Sequence, residues 1–590
     1  MMEKCNYRKD PHQDIDHVFR DLLPAHGMVE RPAQVELSHQ MLDAMLNGSI
    51  ALCDAGTGIG KTYAYLVAGV VFRRYRSRAG LPNQPLLIST SSIALQGAII
   101  HDYLPFLSKV MMADGMLDSP LRAVLRKGKS HYVCDARLMK RLQTANLDRK
   151  NPLAKAALLS MRDHLDLDMA PHLSGYDRER ICVPPTCDCG KTECRYLCYL
   201  DVCASERYAI QVCNHNLLLA DAIHQGSGKR PILPDSCAIV MDEAHKLPET
   251  ARQMFGITLA AGELHTLCRK LRREQFLLAA ETLEDTAGLL LSEMAKPWSG
   301  DSSFAHFSIP LDGVERTLSV IHRQIRRMLT AGTRMELERV LDKTKLFCLH
   351  QPDMVYYTAE DETGGSMLCA SATDFTAQLR QTLWQQDRPM ILASGTLAVG
   401  SNFRRFKEET GLLAEGRVRE HIAPSPFDYQ RNCLLYLPQI PPSQADSDYY
   451  DDLAEQIVKL LDAANGHALG LFTSYAAMSA VRERLKQRDL PYPVLTLGRN
   501  GGHTMSEFMA HPGSVLLAAG AAWEGFDFPG DCVSLLILPR LPFPMPDAVK
   551  EQERMKHATL HDFLRAVVVP EMQIKLRQGF GRAIRTETDT

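Results

Sequence analysis

A strong charge of either sign is missing from this sequence. Its 67 lysines and arginines stand against 70 aspartates and glutamates, a formal net charge of −3 over 590 residues. A nucleic-acid partner therefore cannot be inferred from overall charge, and any such binding surface must be a local basic groove. Long apolar runs are missing too. The opening stretch, Met1 to Asp21, has no apolar signal region, and nothing later is apolar for the roughly 18 residues that a membrane span requires. Repeats and low-complexity tracts do not occur. A secreted or membrane-embedded protein is not expected, and a cytosolic one is. What remains has 45% hydrophobic and 23% charged residues. That is the balance of a folded globular protein, and the chain is too long for one ordinary core.

Cysteine, by contrast, is plentiful: there are 16, six of them between Cys182 and Cys203. In a reducing compartment such a cluster more often ligates metal than forms disulfides. Cys213 and Cys237 fall in strand-like runs and read as plain buried thiols.

Apolar periodicity predicts helices over Gln34–Met45 and Lys61–Phe72 and strands over Ser49–Cys53 and Pro85–Thr90. Alternation of this kind argues for a parallel sheet covered on both faces. The pattern loosens from about 110 to 205. Strand-like runs return at Ala209–Cys213 and Ala238–Met241, and 250–345 reads as long, charged and helical. From about 390 the rhythm resumes through Leu469–Phe472, Val515–Ala518 and Val533–Leu538. Two α/β modules carrying two inserted segments is the simplest description.

The segment Asp54-Ala55-Gly56-Thr57-Gly58-Ile59-Gly60-Lys61-Thr62 follows a strand and opens a helix, as a phosphate-binding loop must. Glycines let successive backbone N–H groups and the helix N-terminus face phosphate. Lys61 would reach the β- and γ-phosphates of ATP, and the Thr62 hydroxyl would hold Mg²⁺. Downstream, Val240-Met241-Asp242-Glu243-Ala244-His245 ends a strand in carboxylates. Asp242 is placed for the same Mg²⁺, and Glu243 to orient or deprotonate the attacking water. An acidic pair alone would read as a solvated strand end; with the phosphate loop it makes a nucleotide hydrolase.

The DEAH run resembles the DEAH-box branch of superfamily 2, and DinG/XPD helicases in particular. Arg31-Pro32-Ala33-Gln34 resembles the upstream motif whose glutamine contacts adenine, and Ser89-Thr90-Ser91 with Gln96 resembles motif Ia, which touches the DNA backbone. Ser394-Gly395-Thr396-Leu397 resembles motif III, with Gly395 where most relatives carry alanine. Leu471 to Tyr475 resembles motif IV. Trp523-Glu524-Gly525-Phe526-Asp527-Phe528-Pro529-Gly530 resembles motif V, and Gln578-Gly579-Phe580-Gly581-Arg582-Ala583-Ile584-Arg585 resembles motif VI. The resemblance implies two RecA-like motor domains gripping nucleotide between them. His245, Gly525, Asp527 and Gln578 would line the cleft, Arg585 would serve as the arginine finger and Arg582 as its support.

The same resemblance implies a [4Fe–4S] cluster. Lys127 to Cys134 resembles the run before the first ligand, Cys187 to Cys198 lies where the other three are expected, and Asn214-His215-Asn216-Leu217-Leu218 resembles the NH-x-LL element that follows. The expected ligands are Cys134, Cys189, Cys194 and Cys198, with Cys187 and Cys203 as alternates. A four-cysteine zinc site and a segment of unligated thiols stay open as other readings.

The implied division is an N-terminal extension over 1–25, a first motor domain over 26–110, 206–249 and 351–400, a cysteine-rich domain over 111–205, a helical arch over 250–350, and a second motor domain over 401–590. Two basic clusters in the arch, Arg269, Lys270, Arg272 and Arg273, then Arg316, Arg323, Arg326 and Arg327, are expected either to be solvated helix faces or to guide single-stranded DNA. Tyr132 and Tyr196 are candidates to stack on bases. The implied activity is ATP-driven 5′→3′ movement on single-stranded DNA, unwinding duplexes with a 5′ tail or DNA–RNA hybrids, by a monomer. One alternative is a CRISPR type IV accessory motor recruited to an RNA-guided complex through 1–25. Another is a remodeller or nuclease-associated motor, although a nuclease domain would need about 150–200 further residues. The sequence ends soon after Arg585, where the family continues with a strand and helix, which a truncated chain or a fragment would explain.

Overall fold

The structure, a computed structural model, describes residues 10–56, 58–144, 151–184, 194–205, 207–294, 311–349, 351, 353–360, 365–438, 448–497, 502–523 and 532–581. Its strands in chain order are β1 (Ile50–Ala55), β2 (Leu86–Thr90), β3 (Ala123–Leu125), β4 (Ile210–Cys213), β5 (Ala238–Asp242), β6 (Ile257–Ala260), β7 (Met354–Glu360), β8 (Ser366–Ala372), β9 (Met390–Ser394), β10 (Val418–Ala423), β11 (Ala468–Phe472), β12 (Val494–Thr496), β13 (Val515–Ala519) and β14 (Leu535–Ile537). They form a seven-stranded sheet in the order β10-β1-β9-β5-β2-β4-β3, a four-stranded sheet in the order β12-β13-β11-β14, and a three-stranded sheet in the order β6-β8-β7.

The first two sheets are parallel throughout. That is the architecture expected of strands that read as unbroken apolar runs, since helices cover both faces. β1, β2, β5 and β9 are buried along their whole length. Their register aligns Asp54 with Ser394, Asp242 with Ala393 and Thr90 with Asp242. The carboxyl ends of four adjacent strands therefore open on one crevice, which is where open α/β sheets bind ligands.

Three boundaries differ from the sequence expectation. Residues 1–25 are not a free extension as far as they are described: Ile15, Val18, Phe19 and Leu23 repeat at helical spacing and enter the core of the first motor domain. The second motor domain does not begin at 401. β10 pairs with β1, Ile50 beside Val418, and belongs to the first sheet. Nor does 351–400 belong wholly to the first motor domain. β7 and β8 pair antiparallel with β6, and Leu368, Ala370 and Tyr356 share a core with the helices between 261 and 348. The arch is thus a helical insertion with its own small sheet. Among the described residues no helix is long and apolar enough to cross a membrane.

Candidate active site in the interdomain cleft

The phosphate loop leaves β1 and enters the helix Lys61–Arg78 through Gly60, whose φ is +85°. A Cβ there would lie 2.1 Å from Gln34 Nε2, so glycine is required by both backbone conformation and contact. Gln34 Nε2 donates to the Gly60 carbonyl at 2.8 Å, which ties the upstream glutamine to the loop. Gly58, also left-handed, has the Phe427 ring against it, 2.1 Å from where a Cβ would sit. Lys61 Nζ donates to the Ala55 carbonyl at 2.9 Å. Thr57 lies outside the described residues.

The carboxylates stand opposite the loop. Tyr65, fully buried one helical turn after Thr62, donates its hydroxyl to Asp242 Oδ2 at 3.2 Å and also bonds with Thr62. It holds together the two residues expected at Mg²⁺, and their donors are the hard oxygens that this ion takes. Burial, and then the neighbouring Glu243 charge, push the Asp242 carboxyl up. Glu243 goes the other way: burial raises it, but His245 and Lys61 together hold it below the usual carboxylate range. It is therefore ionised near neutrality and can accept a proton or orient water.

Glu243 is part of a chain that crosses the cleft. His245 Nδ1 lies 3.2 Å from Glu243 Oε2 and 2.8 Å from Ser394 Oγ. Its other nitrogen meets Gln578 Nε2 of the second motor domain at 2.7 Å. A second bridge lies alongside. The buried Asp54 carboxylate accepts from the Ala398 N–H at 2.7 Å and pairs with Arg577 at 3.1 Å. Arg577 also donates to the Ala398 carbonyl at 3.1 Å. A third link is aromatic, running from Phe427 through Tyr429 to Phe580 at centroid distances of 6.0 and 5.6 Å. The helix Val569–Phe580 that carries Arg577, Gln578 and Phe580 abuts Trp523 so closely that a Cβ on Gly579 would meet its ring at 2.8 Å. Gly395 makes no such demand: the nearest atom to a Cβ there would be the Ala55 carbonyl oxygen at 3.4 Å, ordinary contact.

The structure thus brings together Gln34, Ala55, Gly56, Gly58, Ile59, Gly60, Lys61, Thr62, Asp242, Glu243, His245 and Gln578. Gly525, Asp527, Arg582 and Arg585 lie outside the described residues. Sequence reading quoted Asp54 in the loop and Ser394 in the motif III resemblance without giving either a role, and missed Tyr65 and Arg577. Tyr65 had a local signal, its spacing of three from Thr62; Arg577 had only its position beside Gln578.

In the cysteine segment, Asp135 pairs with Arg195 at 2.6 Å, which draws together the chain positions next to Cys134 and Cys194. Cys198 follows Cys194 by one helical turn. Among the described residues, however, no three Cys, His, Asp or Glu side chains assemble a metal site, and Cys187 and Cys189 lie outside them. The described thiols alone do not make the four-ligand set. Cys203 is buried against Tyr199, and burial raises its pKa. Tyr132 is buried too, packed on Tyr196 and Tyr199 with its hydroxyl 3.0 Å from that of Tyr199. It joins this segment to β3 through the Tyr199–Leu125 hydrogen bond and is not exposed for stacking. In the arch, Lys270 and Arg272 are paired with Glu336 and Glu284. Cys213 and Cys237 are buried thiols, pushed up to about 12 and about 11 by burial.

Residues 457–590 match the family described as Helicase C-terminal domain. The chain is 26% identical to the ATP-dependent DNA helicase YoaA of Haemophilus influenzae, over 95% of this chain and 90% of that protein. It is likewise 26% identical to the ATP-dependent helicase DinG of Mycobacterium tuberculosis, over 95% of this chain and 89% of that one. A solved XPD helicase structure superposes with a TM-score of 0.55 at 13% identity, covering 95% of each chain. The fold is accordingly that of two RecA-like domains with insertions in the first.

Proposed function

We propose, on the premise that this chain is of the DinG/XPD type within superfamily 2, that it is an ATP-dependent DNA helicase. The observation that carries this reading is the hydrogen-bonded path from Glu243 through His245 to Gln578, because it joins the carboxylate placed for hydrolysis to the other motor domain. Closure of the cleft and turnover of ATP are then one event, which is how hydrolysis becomes movement. Lys61 would neutralise the phosphates and Gln34 would meet adenine. Glu243 would orient the attacking water, and Arg585, supported by Arg582, would steady the charge that develops on the transferred phosphoryl group. Gly525 and Asp527 would complete the wall. Mg²⁺, held by Thr62 and Asp242, would supply charge neutralisation on the phosphates.

The substrate we propose is single-stranded DNA entered from a 5′ tail, ahead of a duplex or a DNA–RNA hybrid, with the monomer as the working unit. The test is strand displacement by the full chain on 5′-tailed and 3′-tailed duplexes, with and without ATP. The expected result is ATP-dependent release of intact strands from the 5′-tailed substrate. Lys61→Ala is expected to abolish turnover while leaving single-strand binding largely intact. Shortened products would favour a nuclease, and unchanged turnover in the variant would overturn the loop assignment. An RNA-guided partner has no support from the relatives described above.

The iron–sulfur cluster is a separate proposal, and no step above passes through it. Its support is the order of Cys134, Cys189, Cys194 and Cys198 in the sequence and the Asp135–Arg195 pair beside two of them. Protein purified without oxygen is expected to be brown and to hold about four irons per chain. Iron-free protein that still unwinds DNA would remove it.

A further inference from the structure

We infer that His215 is a positioning residue that links the end of β2 to Glu243 and makes ATP turnover respond to single-stranded DNA. The inference rests on the helicase reading and goes beyond it by naming a residue that transmits the signal. His215 follows β4, Ser89 lies near the end of β2, and Glu243 follows β5. The sheet order β5-β2-β4 puts these three at neighbouring strand ends. The imidazole is buried at 2% exposure, and its Nδ1 lies 2.7 Å from Ser89 Oγ. Its Nε2, equally enclosed, has no hydrogen bond of good geometry among the described residues, although the Glu243 backbone lies close enough to act on the ring. The polar groups that act on the ring from the other side are the Glu243 backbone and carboxylate, His245 and Lys246.

Two unfavourable features therefore meet. A buried ring nitrogen without a partner is rarely tolerated. Glu243 itself has φ +54°, a conformation that side chains other than glycine seldom adopt and that recurs at functional sites. A change of both φ and ψ at Glu243 that left the left-handed region and turned its carbonyl squarely onto His215 Nε2 would relieve both. It would also re-aim the Glu243 carboxylate. This is a two-state element, and Ser89 is its handle. From Ser89 the chain runs in four residues to Ile93, which is 84% exposed at the start of the helix Ile93–Ala98, capped by Ser92. A strand of DNA pressing on that surface would displace the end of β2, and the Ser89–His215 bond would carry the displacement to Glu243. Physical contiguity through packed and hydrogen-bonded groups is what such coupling requires.

The test compares ATP hydrolysis with and without a single-stranded DNA oligonucleotide for the unaltered chain, His215→Ala, His215→Gln and Ser89→Ala. The expected result for His215→Ala is a basal rate and a KM for ATP close to those of the unaltered chain, with the stimulation by DNA reduced about fivefold or more. His215→Gln, whose amide Nε2 is also a donor, is expected to recover part of the stimulation. Ser89→Ala is expected to reduce it in the same direction. Equal stimulation in His215→Ala, or a basal rate that falls in parallel, overturns the inference and leaves the helicase reading in place. An unaltered chain that DNA does not stimulate overturns both. Should His215→Ala fail to fold, Ser89→Ala, which deletes a single hydroxyl, decides the question by the same ratio measured at saturating DNA, where a weakened contact to DNA no longer lowers the stimulation.

Discussion

His215 also makes the stability of the molecule depend on pH. Burial lowers its pKa to about 4, whereas an imidazole in the unfolded chain titrates near 6.5. Between those values the unfolded chain binds a proton that the folded one refuses. Stability therefore rises with pH across this window and is lost as pH falls from about 6.5 to about 4, by on the order of 3 kcal/mol at the lower end. Urea unfolding of the unaltered chain and of His215→Gln at pH 7 and at pH 4.5 measures this. The unaltered chain is expected to lose more stability than the variant on acidification, and equal losses would show that the histidine is not held neutral. The contrast with Lys61, Asp242 and Glu243 explains what can be read without a structure. Those three were legible because phosphate chemistry demands their types at fixed places after strands, so local context suffices. Asp54, Tyr65 and Arg577 were not, because each takes its role from a distant partner. Tyr65 meets Asp242 across 177 residues, and Arg577 meets Asp54 across 523.

Elements differ in legibility for a reason of the same kind. The strands at the centre of the first sheet are apolar on both faces and announce themselves. β10 does not. It lies at an edge and reads Val-Arg-Glu-His-Ile-Ala, with two well-exposed charges in the middle, so its place beside β1 appears only once the sheet is assembled. β6 was lost in a region whose helical pattern dominated the reading, and β7 and β8 were assigned to the first motor domain, yet the three strands pair in one antiparallel sheet. Because Leu337, Leu318 and Leu267 belong to a core separate from those of the motor domains, the arch can be weakened on its own. Leu337 is fully buried, and Leu337→Ala is expected to cost about 2–5 kcal/mol through lost transfer energy and the cavity left behind. Hydrogen exchange should then rise in the helices between 261 and 348 while basal ATP hydrolysis persists. Unchanged exchange there, or an equal rise in both motor domains, would mean that the arch is not an independent unit.

At the scale of the whole molecule the question is what makes the two motor domains act as one. Among the described residues, the links between the two motor domains include Glu243–His245–Gln578, Asp54–Arg577, the aromatic path from Phe427 to Phe580, and Arg405, which reaches the Val567 carbonyl and Glu571. They do different things. Arg577 is engaged with the buried Asp54 carboxylate and the Ala398 carbonyl, so its guanidinium holds the domains in register. The arginine proposed to meet the charge that develops on a transferred phosphoryl group is a different one, Arg585. The two arginines are separable by kinetics. Arg577→Ala leaves Asp54 buried without its cross-domain partner, and should weaken domain closure enough to raise the KM for ATP. If Arg585 is the proposed finger, Arg585→Ala would remove a contact made in the transition state and is expected to lower kcat with little change in KM. An arginine finger is worth about 10³-fold or more in turnover, so single-turnover hydrolysis by Arg585→Ala is expected to slow by at least about that factor while nucleotide affinity changes little. A near-normal rate would remove Arg585 from the role. A loss confined to KM would assign it to the same clasp as Arg577, and the source of the catalytic charge would have to be sought elsewhere in the second domain.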